Sequence, residues 1–126
     1  MYHVEVTNIS DYIFNVKSKD AEFTIGLDGK SINPPDVLLA SLGSCMGVYL
    51  RKYAEGMKLS VPEAVISVDA DFSKEASICF KKISVSVDLK SAQIDDRRRK
   101  GLLEFLKNCP VHTTLKNNPE IVIDIK

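Results

Sequence analysis

With 126 residues, the chain is long enough for one domain with its own core and too short for two, so a single domain over 1–126 is expected. Seventeen basic and seventeen acidic side chains cancel. That balance argues against nucleic acid or an anionic membrane as the main partner, since both select a basic surplus. Three cysteines do not make a disulfide scaffold. The opening residues MYHVEVTN carry neither a basic start nor an apolar run, so a cytoplasmic protein is expected.

Tyr2 to Thr7 places Tyr2, Val4 and Val6 on one side and reads as a strand. Ile13–Val16 and Glu22–Ile25 read as two more, completing an antiparallel meander. Gly26-Leu27-Asp28-Gly29 is a turn signal. From Asn33 to Gly56 runs NPPDVLLASLGSCMGVYLRKYAEG, which reads as the central helix. Pro34 and Pro35 suit its first turn, where the N–H groups have no intrahelical partner, and Asp36 complements the positive end of the dipole. Every position from Val37 to Leu50 is apolar or small. Such a helix has no polar face and is expected to be buried all round. It is also shorter than the roughly 20 apolar residues that span a bilayer.

Gly56 is the expected breaker of this helix. A long hairpin follows, with strands at Val65–Phe72 and Ile78–Leu89 and a turn at Ser73-Lys74-Glu75. Ile83, Val85, Val87 and Leu89 share one face, but Ile78 and Phe80 have the opposite parity, which predicts a bulge near Lys81-Lys82. Gln93–Asn108 reads as a second helix with an apolar stripe of Ile94, Leu102, Leu103, Phe105 and Leu106. The run Arg97-Arg98-Arg99-Lys100, offset by Asp95 and Asp96, reads as a solvated helix face. Cys109-Pro110-Val111-His112 opens a short helix or turn to Asn118, and Ile121–Ile125 reads as a final strand.

Each cysteine admits two readings. Cys45 beside Gly43 and Ser44 is either part of a small-residue packing patch or a reactive thiol held in the core. Cys109 either marks only a helix-to-turn junction or, if Pro110 opens a helix, stands at its N-cap, where free N–H groups and the dipole would favour a thiolate. His112, three residues on, is a candidate proton partner. Cys79, within a strand, reads as packing. A metal site from Cys45, Cys109 and His112 lacks the close Cys-x-x-Cys spacing of zinc ligands.

Two stretches taken together resemble the OsmC/Ohr-like family, named for osmotically inducible protein C and organic hydroperoxide resistance protein. The first is Asn33-Pro34-Pro35-Asp36-Val37-Leu38-Leu39-Ala40-Ser41-Leu42-Gly43-Ser44-Cys45, and the second is Cys109-Pro110-Val111-His112-Thr113-Thr114-Leu115. The order of strands, helix, hairpin, second helix and Cys-Pro fits as well. The resemblance implies an α+β fold whose chains intertwine into a homodimer, with antiparallel sheets around a buried central helix carrying Cys45. It implies reduction of organic hydroperoxides, with Cys45 as the peroxidatic thiol and Cys109 as the resolving one. An external dithiol would restore the pair, and no cofactor or metal is needed.

The chain departs from the family pattern at two points. The family's hydroperoxide reductases pair an arginine from the N-terminal strand region with a glutamate early in the central helix. Here no arginine precedes Arg51, and Pro35 stands at the glutamate position with Asp36 next to it. On an ideal helix Asp36 and Cys45, nine residues apart, are about 900° around and face opposite sides. Asp36 therefore reads first as a helix-terminal acid, and Lys17, Lys19, Lys30, Arg51 and Lys52 as the available cations. The alternative reading is a non-catalytic OsmC-like dimer that binds a small apolar or thiol ligand at its interface.

Overall fold

A computed structural model describes residues 1–75 and 77–126. The order of elements is β1 (Glu5–Ser10), β2 (Ile13–Lys17), β3 (Glu22–Gly26), α1 (Pro34–Gly56), β4 (Val65–Ser73), β5 (Cys79–Asp88), α2 (Asp96–Leu106) and α3 (Pro110–Asn117). The chain forms two compact units, residues 1–40 and 41–126. Strands and helices segregate along the sequence, which makes this an α+β fold with antiparallel sheets, as expected.

In residues 1–40 the meander has the order β1-β2-β3. The turn between β1 and β2 needs a left-handed residue, and Asp11 supplies it with φ 40°. Aspartate tolerates that region because its short side chain bonds locally. The amide of Asn8 ties the turn down by donating to the carbonyls of Asp11 and Ile13 at 2.9 and 3.0 Å. Strand β1 begins at Glu5, later than the expected Tyr2, and all six of its residues are exposed. After β3, the Asp28 carboxylate accepts from the N–H groups of Lys30 and Ser31, and these bonds hold its pKa below the ordinary value.

Helix α1 starts where the two prolines place it. Asn33 caps it, its side-chain oxygen accepting from Asp36 N–H at 2.9 Å. Its end differs from expectation. Gly56 stays inside the helix, and Lys58 adopts the left-handed conformation with φ 53°. Leu59 N–H reaches the Ala54 carbonyl at 2.8 Å and Lys58 N–H the Glu55 carbonyl at 3.2 Å. These two bonds form a Schellman motif, with Leu59 and Ala54 meeting in the core.

Within residues 41–126, Leu42, Met46, Leu50 and Ala54 recur every fourth position and make one buried stripe. It packs with Val61, Leu89, Leu102, Leu106 and Cys109. The hairpin β4–β5 lies against the glycine side of the helix, where Val68 and Ile66 approach Gly43 and Gly47. The bulge falls where parity places it: Asp71 pairs with Lys82 and Phe72 with Phe80, leaving Lys81 as the extra residue. Phe72 and Phe80 stack at 4.6 Å beyond it. Helix α2 is capped by Asp95, whose carboxylate accepts from Arg98 N–H at 2.8 Å. Phe105 tilts against Tyr49 and Tyr53 at 5.7 and 5.6 Å.

Within one chain α1 leaves Ser41, Ser44 and Val48 exposed, Val48 at 52 %. Two expectations are corrected. Leu103, assigned to the apolar stripe of α2, is 58 % exposed, because the core takes the Leu102–Leu106 edge instead. Ile121–Ile125 forms no strand, and Ile121, Val122, Ile123 and Ile125 all stand exposed. A strand exists only with a ladder partner, and none of the described residues pairs with that segment. Among the described residues, no helix is long and apolar enough to cross a membrane.

Candidate active site

The two motif cysteines come from different elements and meet. Cys45 projects from the middle of α1, half-buried, and packs against the core cluster to which Cys109 belongs. Cys109 is fully buried, at 0 % exposure. It is brought there by a tight junction. Cys109 N–H donates to the Leu106 carbonyl at 3.1 Å as α2 ends, and its own carbonyl accepts from Thr113 N–H at 3.0 Å as α3 begins. Pro110 takes the first position of α3, where a missing N–H costs nothing.

The electrostatics of Cys109 differ from the N-cap argument. Burial pushes its thiol up, and the neighbouring Cys45 pushes the same way. The N–H groups of His112 and Val111 oppose both by favouring the thiolate, without forming a full capping bond to the sulfur. Burial prevails. A fully enclosed sulfur loses more solvation on ionising than two partly aligned N–H groups return. Burial therefore favours the protonated form of Cys109.

His112 is half-buried, and its Nδ1 lies 3.2 Å from the Lys107 carbonyl oxygen. An N–H on Nδ1 donates there and leaves Nε2 free. Asp36 stands exposed in the first turn of α1, at the capped end of the helix. Arg51 and Lys52 are committed elsewhere. Arg51 donates to the Val61 carbonyl and clamps the link from α1 to β4, and the Lys52 ammonium sits 4.9 Å from the Tyr49 ring centroid. Cys79 opens β5 opposite Ser73 and lies outside the cluster that holds the other two thiols. Among the described residues, no three His, Cys, Asp or Glu side chains converge to hold a metal.

Most of the chain matches a known family. The family model described as OsmC-like protein matches residues 27–124. The chain belongs to the OsmC-like family. Its fold is shared with solved structures at low identity. An OsmC-like protein from Mycoplasma pneumoniae superposes with a TM-score of 0.83 at 17% identity, covering 94% of this chain and 89% of that one. A hypothetical protein from Aquifex aeolicus gives 0.81 at 21% identity over 94% and 89%. An organic hydroperoxide resistance protein OsmC from Legionella pneumophila gives 0.65 at 15% identity over 94% and 90%. A search of curated proteins returns no match.

That Cys45 and Cys109 share one core cluster was not derivable from the chain, since they lie 64 positions apart (109 − 45). Nor was the engagement of Arg51. The signal for it is faint: an arginine at the end of a helix facing the loop that must turn back into β4.

Proposed function

We propose that this protein is a cysteine-based peroxidase acting on organic hydroperoxides, with Cys45 as the attacking thiol and Cys109 as the resolving one. The observation that carries it is the packing of half-buried Cys45 against the core cluster that holds the fully buried Cys109. The Cys45 thiolate attacks one peroxide oxygen, the O–O bond breaks, and the alkoxide leaves and takes up a proton as an alcohol. Cys45 is left as a sulfenic acid. Cys109 attacks that sulfur, water departs, and a Cys45–Cys109 disulfide forms. An external dithiol reduces it. Attack starts at Cys45 because solvent reaches it, while Cys109 is enclosed and holds its proton. Hydroperoxide resistance proteins among the structural relatives support the choice of substrate class.

The reading extends to the assembly. The exposed side of α1 and the exposed apolar tail from Ile121 to Ile125 are surfaces that a second copy would cover, and the functional unit is a homodimer in the cytoplasm. Asp36 complements the helix dipole, and His112 serves as a proton partner near the pair. Cys45→Ser tests the chemistry: consumption of cumene hydroperoxide in the presence of a dithiol should stop. Undiminished consumption by the variant would end the proposal.

A further inference from the structure

A groove that shares His112 with the site already described opens between β5 and α2. Its larger part is a cavity of about 520 Å³ floored by Ile83, Val85, Val87, Leu102 and Leu106. A second part of about 350 Å³ continues it over Leu42 and Leu115. Met46, Ile83, Val85 and His112 belong to both, and neither Cys45 nor Cys109 lines either one. Volumes of this size suit a small-molecule ligand.

The charge around this apolar floor is of one sign. Arg99, Lys100 and Lys107 line the larger cavity and Lys81, Lys82 and Lys116 the smaller, and no acidic residue lines either. Lys107 is offset by Glu104 at 3.0 Å, whereas Arg99, Lys100, Lys81, Lys82 and Lys116 have no ion pair among the described residues. In a chain of zero formal net charge, this is a local concentration. The helix produces it. In the run Arg97-Arg98-Arg99-Lys100, Arg98 turns away to pair with Asp95 at 2.8 Å. Arg99 shares its face with Leu103 and Lys107, four and eight positions on, and that face looks over the groove. The bulge at Lys81 adds to the other side, bringing two consecutive lysines to one rim.

An apolar trough with cations and no anions at its rim complements an amphipathic monoanion. We propose that the groove binds an unbranched acyl chain ending in a carboxylate, with the chain over Ile83, Val85 and Leu103 and the carboxylate among Arg99, Lys100 and the neighbouring lysines. Burial of the chain supplies the affinity, and the cations supply the selection against neutral and cationic analogues.

The test is calorimetric titration of the full chain with dodecanoate, dodecan-1-ol and dodecyltrimethylammonium, each below its micelle concentration. Dodecanoate should bind once per chain, more tightly than either analogue, and more weakly as salt rises. The double variant Arg99→Gln/Lys100→Gln should weaken it at least tenfold while leaving alkylation of Cys45 unchanged. Leu103→Asp, at an exposed position, should weaken it as well. Cys45→Ser should bind like the unaltered protein, so loss of peroxidase chemistry and loss of this site are separable. Equal binding of the alcohol, full affinity in the Leu103→Asp variant, or no dodecanoate binding because a second copy fills the groove would each overturn the proposal.

Discussion

Gly43 sits two residues before Cys45 and decides how closely the hairpin approaches the helix that carries it. A Cβ built on Gly43 would stand 3.0 Å from Val68 Cγ2 and 3.8 Å from Ile66 Cγ2. In Gly43→Ala two effects oppose each other. Alanine gains about 1 kcal/mol of helix propensity over glycine. Forcing the new methyl against a branched side chain in a packed sheet costs about 1–3 kcal/mol. The net expectation is a loss of about 0–2 kcal/mol. At this chain length that is a fall in melting temperature of up to about 8 °C, at about 4 °C per kcal/mol. Gly43→Val adds two more carbons without the propensity gain and should lose about 3 kcal/mol or more. Gly56→Ala is the control, since its new Cβ meets nothing within 4 Å, and it should be neutral or stabilising by up to about 1 kcal/mol. The assay is thermal unfolding followed by circular dichroism at one fixed protein concentration, because association would otherwise move the midpoint. If Gly43→Ala stabilised as much as Gly56→Ala, the close approach of Val68 would be refuted.

Other outcomes follow from the same geometry. Gly101→Ala brings a Cβ to 2.5 Å from the Tyr53 hydroxyl, which donates to the Arg98 carbonyl at 3.0 Å. A double-mutant cycle with Tyr53→Phe, read by urea unfolding, should show the two substitutions coupled favourably by about 1 kcal/mol, and simple additivity would contradict it. Leu50→Ala removes a side chain that is 2 % exposed and should cost about 2–5 kcal/mol in the same assay. In native protein at neutral pH, iodoacetamide should label Cys45 well before Cys109, as peptide mapping would show, because Cys109 has no accessible surface. The Cys109 thiol has a folded pKa above its ordinary 9.0. Its stabilising contribution is complete below that value and is lost as pH rises through the folded pKa. Stability should therefore fall faster above about pH 9 in the unaltered protein than in Cys109→Ala.

Much of this was legible in the residues, because local chemistry decides it. Asn33 followed by two prolines can hardly do other than start a helix. The parity switch between Phe80 and Ile83 locates the bulge near Lys81-Lys82, and the register puts it at Lys81. The apolar spacing of Leu102 and Leu106 gives α2 its buried edge. What was not legible depends on what lies opposite. Period-2 alternation in Ile121–Ile125 describes a strand face, yet a strand needs a partner, and none of the described residues pairs there. An apolar helix such as α1 declares that it will be covered, not by which molecule. Gly56 looked like the terminator, but a lysine two residues on takes the left-handed position once Leu59 can reach back to Ala54. At Cys109, position at a helix start argued for a lowered pKa, and burial, a property of the tertiary fold, reversed the sign.

The central claim is that Cys45 and Cys109 work as one redox pair. It is tested most directly by counting thiols by mass spectrometry before and after one equivalent of cumene hydroperoxide, with the peptides mapped. The account predicts loss of two thiols, a single Cys45–Cys109 disulfide and an intact Cys79. Three intact thiols, under conditions that oxidise a reactive control protein, would contradict it.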